Sequence, residues 1–137
     1  SKSITGECMN TKVAVYGSLR KGFGNHVLLS QSELIGTTQT PKEFKMFSLG
    51  AFPGVGTGTS SIKVEVYRVN EETLARLDRL EGYHGPTSRN FYEREVVMTE
   101  FGQALMYTLR DEKYKGHDEI TSGDWVEYRK VKLKDLL

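Results

Sequence analysis

The sequence predicts an α+β fold, a small mixed β-barrel or curved sheet with one or two flanking helices. Three observations lead there. Apolar and polar residues alternate with period two in several segments, as strands lying against a core require. One segment carries a clear helical signature with a stop signal at each end. Strands and helices do not alternate in a sustained way, which disfavours a doubly wound parallel sheet.

The first strand is the apolar run VAVY (residues 13–16), which leaves through Gly17, Ser18 and Leu19. A glycine there has two readings. It bends the backbone and nothing more, or it helps to present bare N–H groups where a small anion or a developing oxyanion can sit. Arg20 and Lys21 follow; basic residues in a loop are either solvated or draw in an acidic substrate. A weaker helix is expected over NHVLLSQSE (25–33), with Val27, Leu28 and Leu29 packing under the sheet. FKMFSL (44–49) reads as a strand. GAFPGVGTGTSS (50–61) reads as a flexible connection, because Gly and Ser favour loops. No lysine follows its glycines in P-loop register, and GVGTG lacks the dinucleotide-binding spacing.

In IKVEVYRV (62–69), Ile62, Val64 and Val66 share one face while Lys63 and Glu65 point the other way. The clear helix comes next. Asn70 can cap it, Glu71 and Glu72 suit its positive first turn, LARLDRLE supplies good helix formers, and Gly82 stops it. Two further strands read as YEREVVMT (92–99) and QALMYTLR (103–110), the second with Leu105, Tyr107 and Leu109 on one face. Residues 12–130 form the expected single domain, between an N-terminal tail (1–11) and a C-terminal tail, VKLKDLL (131–137), that is an extra helix, a dimer contact or neither.

With 137 residues the chain can bury a sizeable core, and 37% hydrophobic against 27% charged residues suits a globular protein rather than a disordered one. Lys and Arg (19) balance Asp and Glu (18), so nothing electrostatic favours nucleic acid or an anionic membrane as partner. No stretch approaches the roughly 20 apolar residues of a membrane span, and no signal-like segment opens the chain, so a cytoplasmic protein is expected. Cys8, the sole cysteine, excludes an intrachain disulfide and lies in the polar tail. His26, His84 and His117 are too scattered for a metal site. No metal or other cofactor is expected.

Glu81 is the informative residue. Helical residues follow one another at about 100°, so Glu81 projects between Leu74 and Leu77, which mark the buried stripe. If the stripe is wide, a carboxylate sits against the apolar face in the last turn. Burial and the negative end of the helix dipole then both raise its pKa, as a general acid/base near neutral pH requires. If the stripe is narrow, Glu81 lies at its edge in solvent beside Asp78. Spacing leaves both open. Tyr107 likewise is either ordinary core or a hydroxyl offered to a ligand.

These pieces together resemble the gamma-glutamyl cyclotransferase-like superfamily, most closely its gamma-glutamylamine cyclotransferase branch. The matching motifs are YGSLRKGFGNH (16–26), VEVYRV (64–69), the helical Leu-Asp-x-x-Glu of Leu77, Asp78 and Glu81, the Tyr-x-Arg of Tyr92 and Arg94, the inward Tyr107, and SGDW (122–125). They occur in the family's order over nearly the whole chain. The resemblance implies a small β-barrel with a pocket at one end, where a loop of Tyr16, Gly17, Ser18 and Leu19 cradles a glutamyl head. It implies Glu81 as general base/acid and Tyr107 as a substrate contact. The implied reaction closes the glutamyl chain onto its own γ-amide, releasing 5-oxoproline and a free amine. The expected partner is a small gamma-glutamyl substrate, and the expected state a monomer or weak homodimer. A non-catalytic member of the same fold, binding a small ligand or a protein, is the alternative, as is an enzyme that removes a gamma-glutamyl protecting group during biosynthesis.

Overall fold

The computed structural model describes residues 11–136. Cys8 lies outside them. Five strands form a mixed sheet in the order β2-β5-β1-β7-β6: β1 (Thr11–Val15), β2 (Glu33–Gln39), β5 (Lys63–Val69), β6 (Glu93–Thr99) and β7 (Gly102–Thr108). Within it β1 runs parallel to β7, and the other pairings are antiparallel. A second sheet pairs β3 (Phe44–Ser48) with β4 (Pro53–Thr57). The sheets meet where the Leu109 N–H donates to the Val55 carbonyl (2.8 Å). Three helices complete the α+β fold: α1 (Glu71–Glu81), the short α2 (Asp111–Tyr114) and α3 (Trp125–Leu136).

The three central strands are buried on both faces. Alternation sends Ala14, Val64, Val66 and Met106 into one core with Met46, Val55 and Trp125. It sends Val13, Val15, Tyr67, Val69 and Tyr107 into another, with Leu29 and Leu77. The face of β5 that carries Glu65 is therefore covered as well, and Glu65 is only 8% exposed. Helix α1 begins and ends as the sequence predicts. The Asn70 side chain accepts from the Thr73 N–H (2.8 Å), and Gly82 terminates the helix in the left-handed region (φ 69°).

Two expectations are corrected. The helix expected over 25–33 is a 3-10 turn, Gly24–Leu29, that buries Leu29 but leaves Val27 69% exposed; Glu33 already belongs to β2. The glycine-rich connection contains β4, buried from Pro53 through Gly56. Its glycines serve packing: a Cβ on Gly54 would sit 2.1 Å from Leu109 Cδ1, and one on Gly56 2.2 Å from the Tyr114 ring. Of the alternatives open for VKLKDL, the structure shows helix, as a continuation of α3. No helix among the described residues is long and apolar enough to cross a membrane.

Candidate active site

The loop leaving β1 is fastened from several sides. The Arg20 N–H donates to the Gly17 carbonyl (2.9 Å), closing a turn. Asn25 Nδ2 donates to Ser18 Oγ (2.8 Å), and His26 Nδ1, which must carry the proton to face a carbonyl, donates to Leu19 O (2.9 Å). The Asn-His pair thus staples the loop that precedes it. Gly17 answers a steric demand, since a Cβ there would lie 2.8 Å from the Pro53 ring. Pro53 is held from its other side by the Tyr92 hydroxyl, which donates to its carbonyl (2.7 Å). Among the described residues, the N–H groups of Ser18 and Leu19 meet no protein acceptor.

Arg20 is buried and ion-paired rather than solvated. It is 7% exposed; its Nε donates to Glu65 Oε2 (3.0 Å) and its Nη1 to Asp124 Oδ1 (3.0 Å). Glu65 Oε1 also accepts from the Lys21 N–H (2.9 Å) and the Tyr67 hydroxyl (2.9 Å). Asp124 caps α3 by accepting from the Val126 N–H (3.0 Å), and Trp125 beside it is core. The SGDW segment therefore ties the start of α3 to the loop through Arg20.

The loop forms one wall of a cavity of about 490 Å³. All six residues singled out in the sequence line it: Tyr16, Gly17, Ser18, Leu19, Glu81 and Tyr107. Glu81 is its only charged side chain among the described residues. Leu77 is fully buried and Leu74 packs against the same core, so the apolar stripe is wide enough to carry Glu81 inward. Loss of hydration pushes its carboxyl up to about 7.

One turn earlier, Asp78 has a supporting task. Its Oδ1 accepts from the Tyr107 hydroxyl (2.7 Å), and its Oδ2 pairs with Arg94 Nη1 (2.5 Å). Tyr107 therefore keeps its ring and hydroxyl oxygen available to the cavity while its proton is committed to Asp78. The Tyr16 hydroxyl donates to the Tyr107 carbonyl (2.7 Å). Burial raises the pKa of Tyr16, Tyr92 and Tyr107, and the nearby Glu81 adds to each shift, so all three stay protonated.

The site list read from the sequence lacked Asn25, Tyr92, Phe52, Leu80 and Phe91, which also line the cavity. Asn25 and Tyr92 lay within recognised motifs and could have been found there. Phe52 and Phe91 stand in loops, and Leu80 is on the polar side of the helical pattern; no periodicity marks them. Of the segment 81–90 only Glu81 lines the cavity, whereas the glycine-rich stretch 50–61 contributes Ala51, Phe52 and Pro53.

Fold and site together define a small α+β protein with one glutamate of raised pKa in a cavity lined by no other charged side chain among the described residues, beside a loop whose Ser18 and Leu19 N–H groups meet no protein acceptor. Residues 13–127 match the family model described as "Gamma-glutamyl cyclotransferase, AIG2-like", and the chain belongs to that family. A Vibrio cholerae protein of the gamma-glutamylcyclotransferases is 42% identical over 119 residues, covering 87% of this chain and 98% of its own length. The gamma-L-glutamyl-butirosin B gamma-glutamyl cyclotransferase of Niallia circulans is 30% identical over 136 residues, covering 94% of this chain and 84% of that protein. Among solved structures, the Pyrococcus horikoshii protein PH0828 superposes with a TM-score of 0.74 at 30% identity, over 90% of this chain and 97% of that one.

Proposed function

We propose that the protein is a gamma-glutamyl(amine) cyclotransferase, which converts a gamma-glutamyl amide into 5-oxoproline and a free amine with Glu81 as general base and acid. One observation carries this reading: the lone cavity carboxylate has a pKa of about 7, next to a loop whose N–H groups are open to an anion. The Niallia circulans relative, named as a gamma-glutamyl cyclotransferase of gamma-L-glutamyl-butirosin B, supports the same chemistry.

The substrate arrives with its α-amine protonated, since such amines have pKa values of roughly 8 or somewhat above. Ionised Glu81 takes one proton from the ammonium. The freed lone pair attacks the γ-carbonyl carbon, the new C–N bond closes a five-membered ring, and the carbonyl π electrons move onto oxygen. As this intermediate collapses, the attacking nitrogen loses its second proton to solvent. The bond to the leaving nitrogen breaks while protonated Glu81 returns its proton there. The products are the lactam and a neutral amine, and Glu81 is again a carboxylate. The N–H groups of Ser18 and Leu19 bind the α-carboxylate or the oxyanion. A tethered nucleophile needs a folded conformer more than a reactive side chain, so no Ser-His-Asp or Cys-His set is called for.

The pH profile follows from the sign of the shift. Glu81 must be ionised to accept the proton, so kcat/KM for 5-oxoproline formation should rise with pH through about 7 and level off above it. Mass-spectrometric quantification of 5-oxoproline from gamma-glutamyl amides between pH 5 and 9 checks this. A rising limb near the ordinary carboxylate range, about 4.3, would remove Glu81 from its role.

A further inference from the structure

The depth of the cavity is graded. Tyr16, Tyr92 and Tyr107 form its buried part at 6%, 5% and 3% exposure, whereas Phe52, Leu80 and Phe91 stand at 37%, 42% and 44%. The exposed lining residues mark the mouth, and apart from the small Ala51 they are large and apolar. Phe52 and Phe91 meet edge to face across 6.2 Å. They come from different parts of the chain: Phe52 precedes β4, Leu80 closes α1, and Phe91 precedes β6. Large apolar side chains left in water next to one another mark a binding surface, and here that surface is continuous with the reaction cavity.

A cation, Lys113, touches the rim at Phe91 from outside the cavity lining. Its ammonium stands 4.6 Å from the Phe91 ring centre and donates to the Asn90 carbonyl (2.9 Å). Arg94 pairs with Asp78, and Arg110 lies 3.1 Å from Glu112. A second carboxylate at the mouth would therefore lose water, face an apolar rim and share the cavity with Glu81, with no cation in the lining to offset this.

From this geometry we infer that Phe52, Leu80 and Phe91 form the subsite for the leaving amine, selecting gamma-glutamyl amides of neutral apolar or aromatic amines over gamma-glutamyl amino acids with a free carboxylate. The inference rests on the cyclotransferase reading. With the γ-carbonyl beside Glu81 and the glutamyl head on the loop, the remaining amide substituent extends outward to this rim. Its hydrophobic surface is buried there at no cost in unpaired charge.

The test compares gamma-glutamyl-benzylamide, gamma-glutamyl-glycine and gamma-glutamyl-methylamide, with 5-oxoproline and the released amine both quantified. The benzylamide should exceed the glycine substrate in kcat/KM by at least about tenfold. In Phe52→Ser/Phe91→Ser that ratio should fall towards one, and Phe52→Arg, which places a cation at the exposed rim, should raise turnover of the glycine substrate. Circular dichroism and urea midpoints establish that the variants are folded. A wild-type ratio of one or less, or a ratio unmoved in both the serine and arginine variants, overturns the subsite while 5-oxoproline formation still upholds the cyclotransferase. Absence of 5-oxoproline from all three substrates overturns both.

Discussion

Glu81→Gln is expected to lower 5-oxoproline formation by about 10²–10⁴-fold, the range that a positioned general acid/base contributes, and to yield a more stable protein. The two effects share one cause. Glutamine keeps the shape and the hydrogen-bonding polarity of the side chain but can neither take nor return a proton. It also has no charge to desolvate. The wild-type carboxyl has a folded pKa of about 7 against a reference of 4.5, so the unfolded chain loses its proton first as pH rises. Stability is therefore lost between about pH 4.5 and 7, and the deficit stays constant above that. The variant should match the wild type near pH 4 and gain on the order of a few kcal/mol at pH 8. Urea melts at the two pH values read this difference directly, with other titrating groups cancelling between the proteins. A variant with wild-type turnover, or one whose relative stability does not change with pH, would contradict a half-buried, proton-carrying Glu81.

Arg20→Ala is expected to be the most damaging single change outside the cavity. The guanidinium joins the loop, β5 and the start of α3 through Glu65 and Asp124. Removing it leaves Glu65, whose side chain is 10% exposed, without its counter-ion. Uncompensated buried charges of this kind cost about 3–5 kcal/mol. Asp124 loses less, because its side chain is 19% exposed against 10% for Glu65 and water can reach it. The urea midpoint should fall with little change in slope, and Arg20→Met combined with Glu65→Leu should recover part of the stability. Turnover should drop even where the variant is fully folded, because the loop loses its anchor and displacements near 1 Å can cost about 10²-fold. An Arg20 that served to attract an acidic substrate would behave otherwise: stability would be unchanged, KM alone would rise, and salt would erase the difference.

How far the sequence discloses this molecule depends on whether a residue's role is local. Asn70 and Gly82 mark the ends of α1 because capping is settled by a few neighbouring groups. Glu81 could be placed between Leu74 and Leu77 from helical geometry alone, although whether the stripe was wide depended on Tyr107 and Leu109 from distant β7 and beyond, which share its core. Strand β4 was hidden for a physical reason. PGVGT shows no alternation of large residues, because Leu109 and Tyr114 fill the space that its own side chains would take. The residues of β2 (ELIGTTQ) have the same difficulty at Gly36, where a Cβ would lie 2.4 Å from the Phe101 ring. For Glu65, period two names the face without saying whether that face is covered; its cover comes from Arg20, which carries its own charge inward.

The cavity lining divides on the same principle. The YGSL loop and the Leu-Asp-x-x-Glu helix are contiguous motifs, each legible in a few residues. The mouth is assembled from Phe52, Leu80 and Phe91, which no short pattern links, and only the packing of α1 and β4 beside the loop brings them together. Asp78 shows an intermediate case. It belongs to the motif, yet its task of holding the Tyr107 hydroxyl and Arg94 appears only once β6 and β7 are in place.

The central claim is that the substrate's own amine, rather than water, cleaves the γ-amide. Turnover of a gamma-glutamyl amide in ¹⁸O-enriched water, followed by mass spectrometry, tests this most directly. Attack by the amine yields 5-oxoproline free of ¹⁸O, formed mole for mole with the released amine. Glutamate carrying ¹⁸O as the first product would mean that water attacks the amide, and would contradict it.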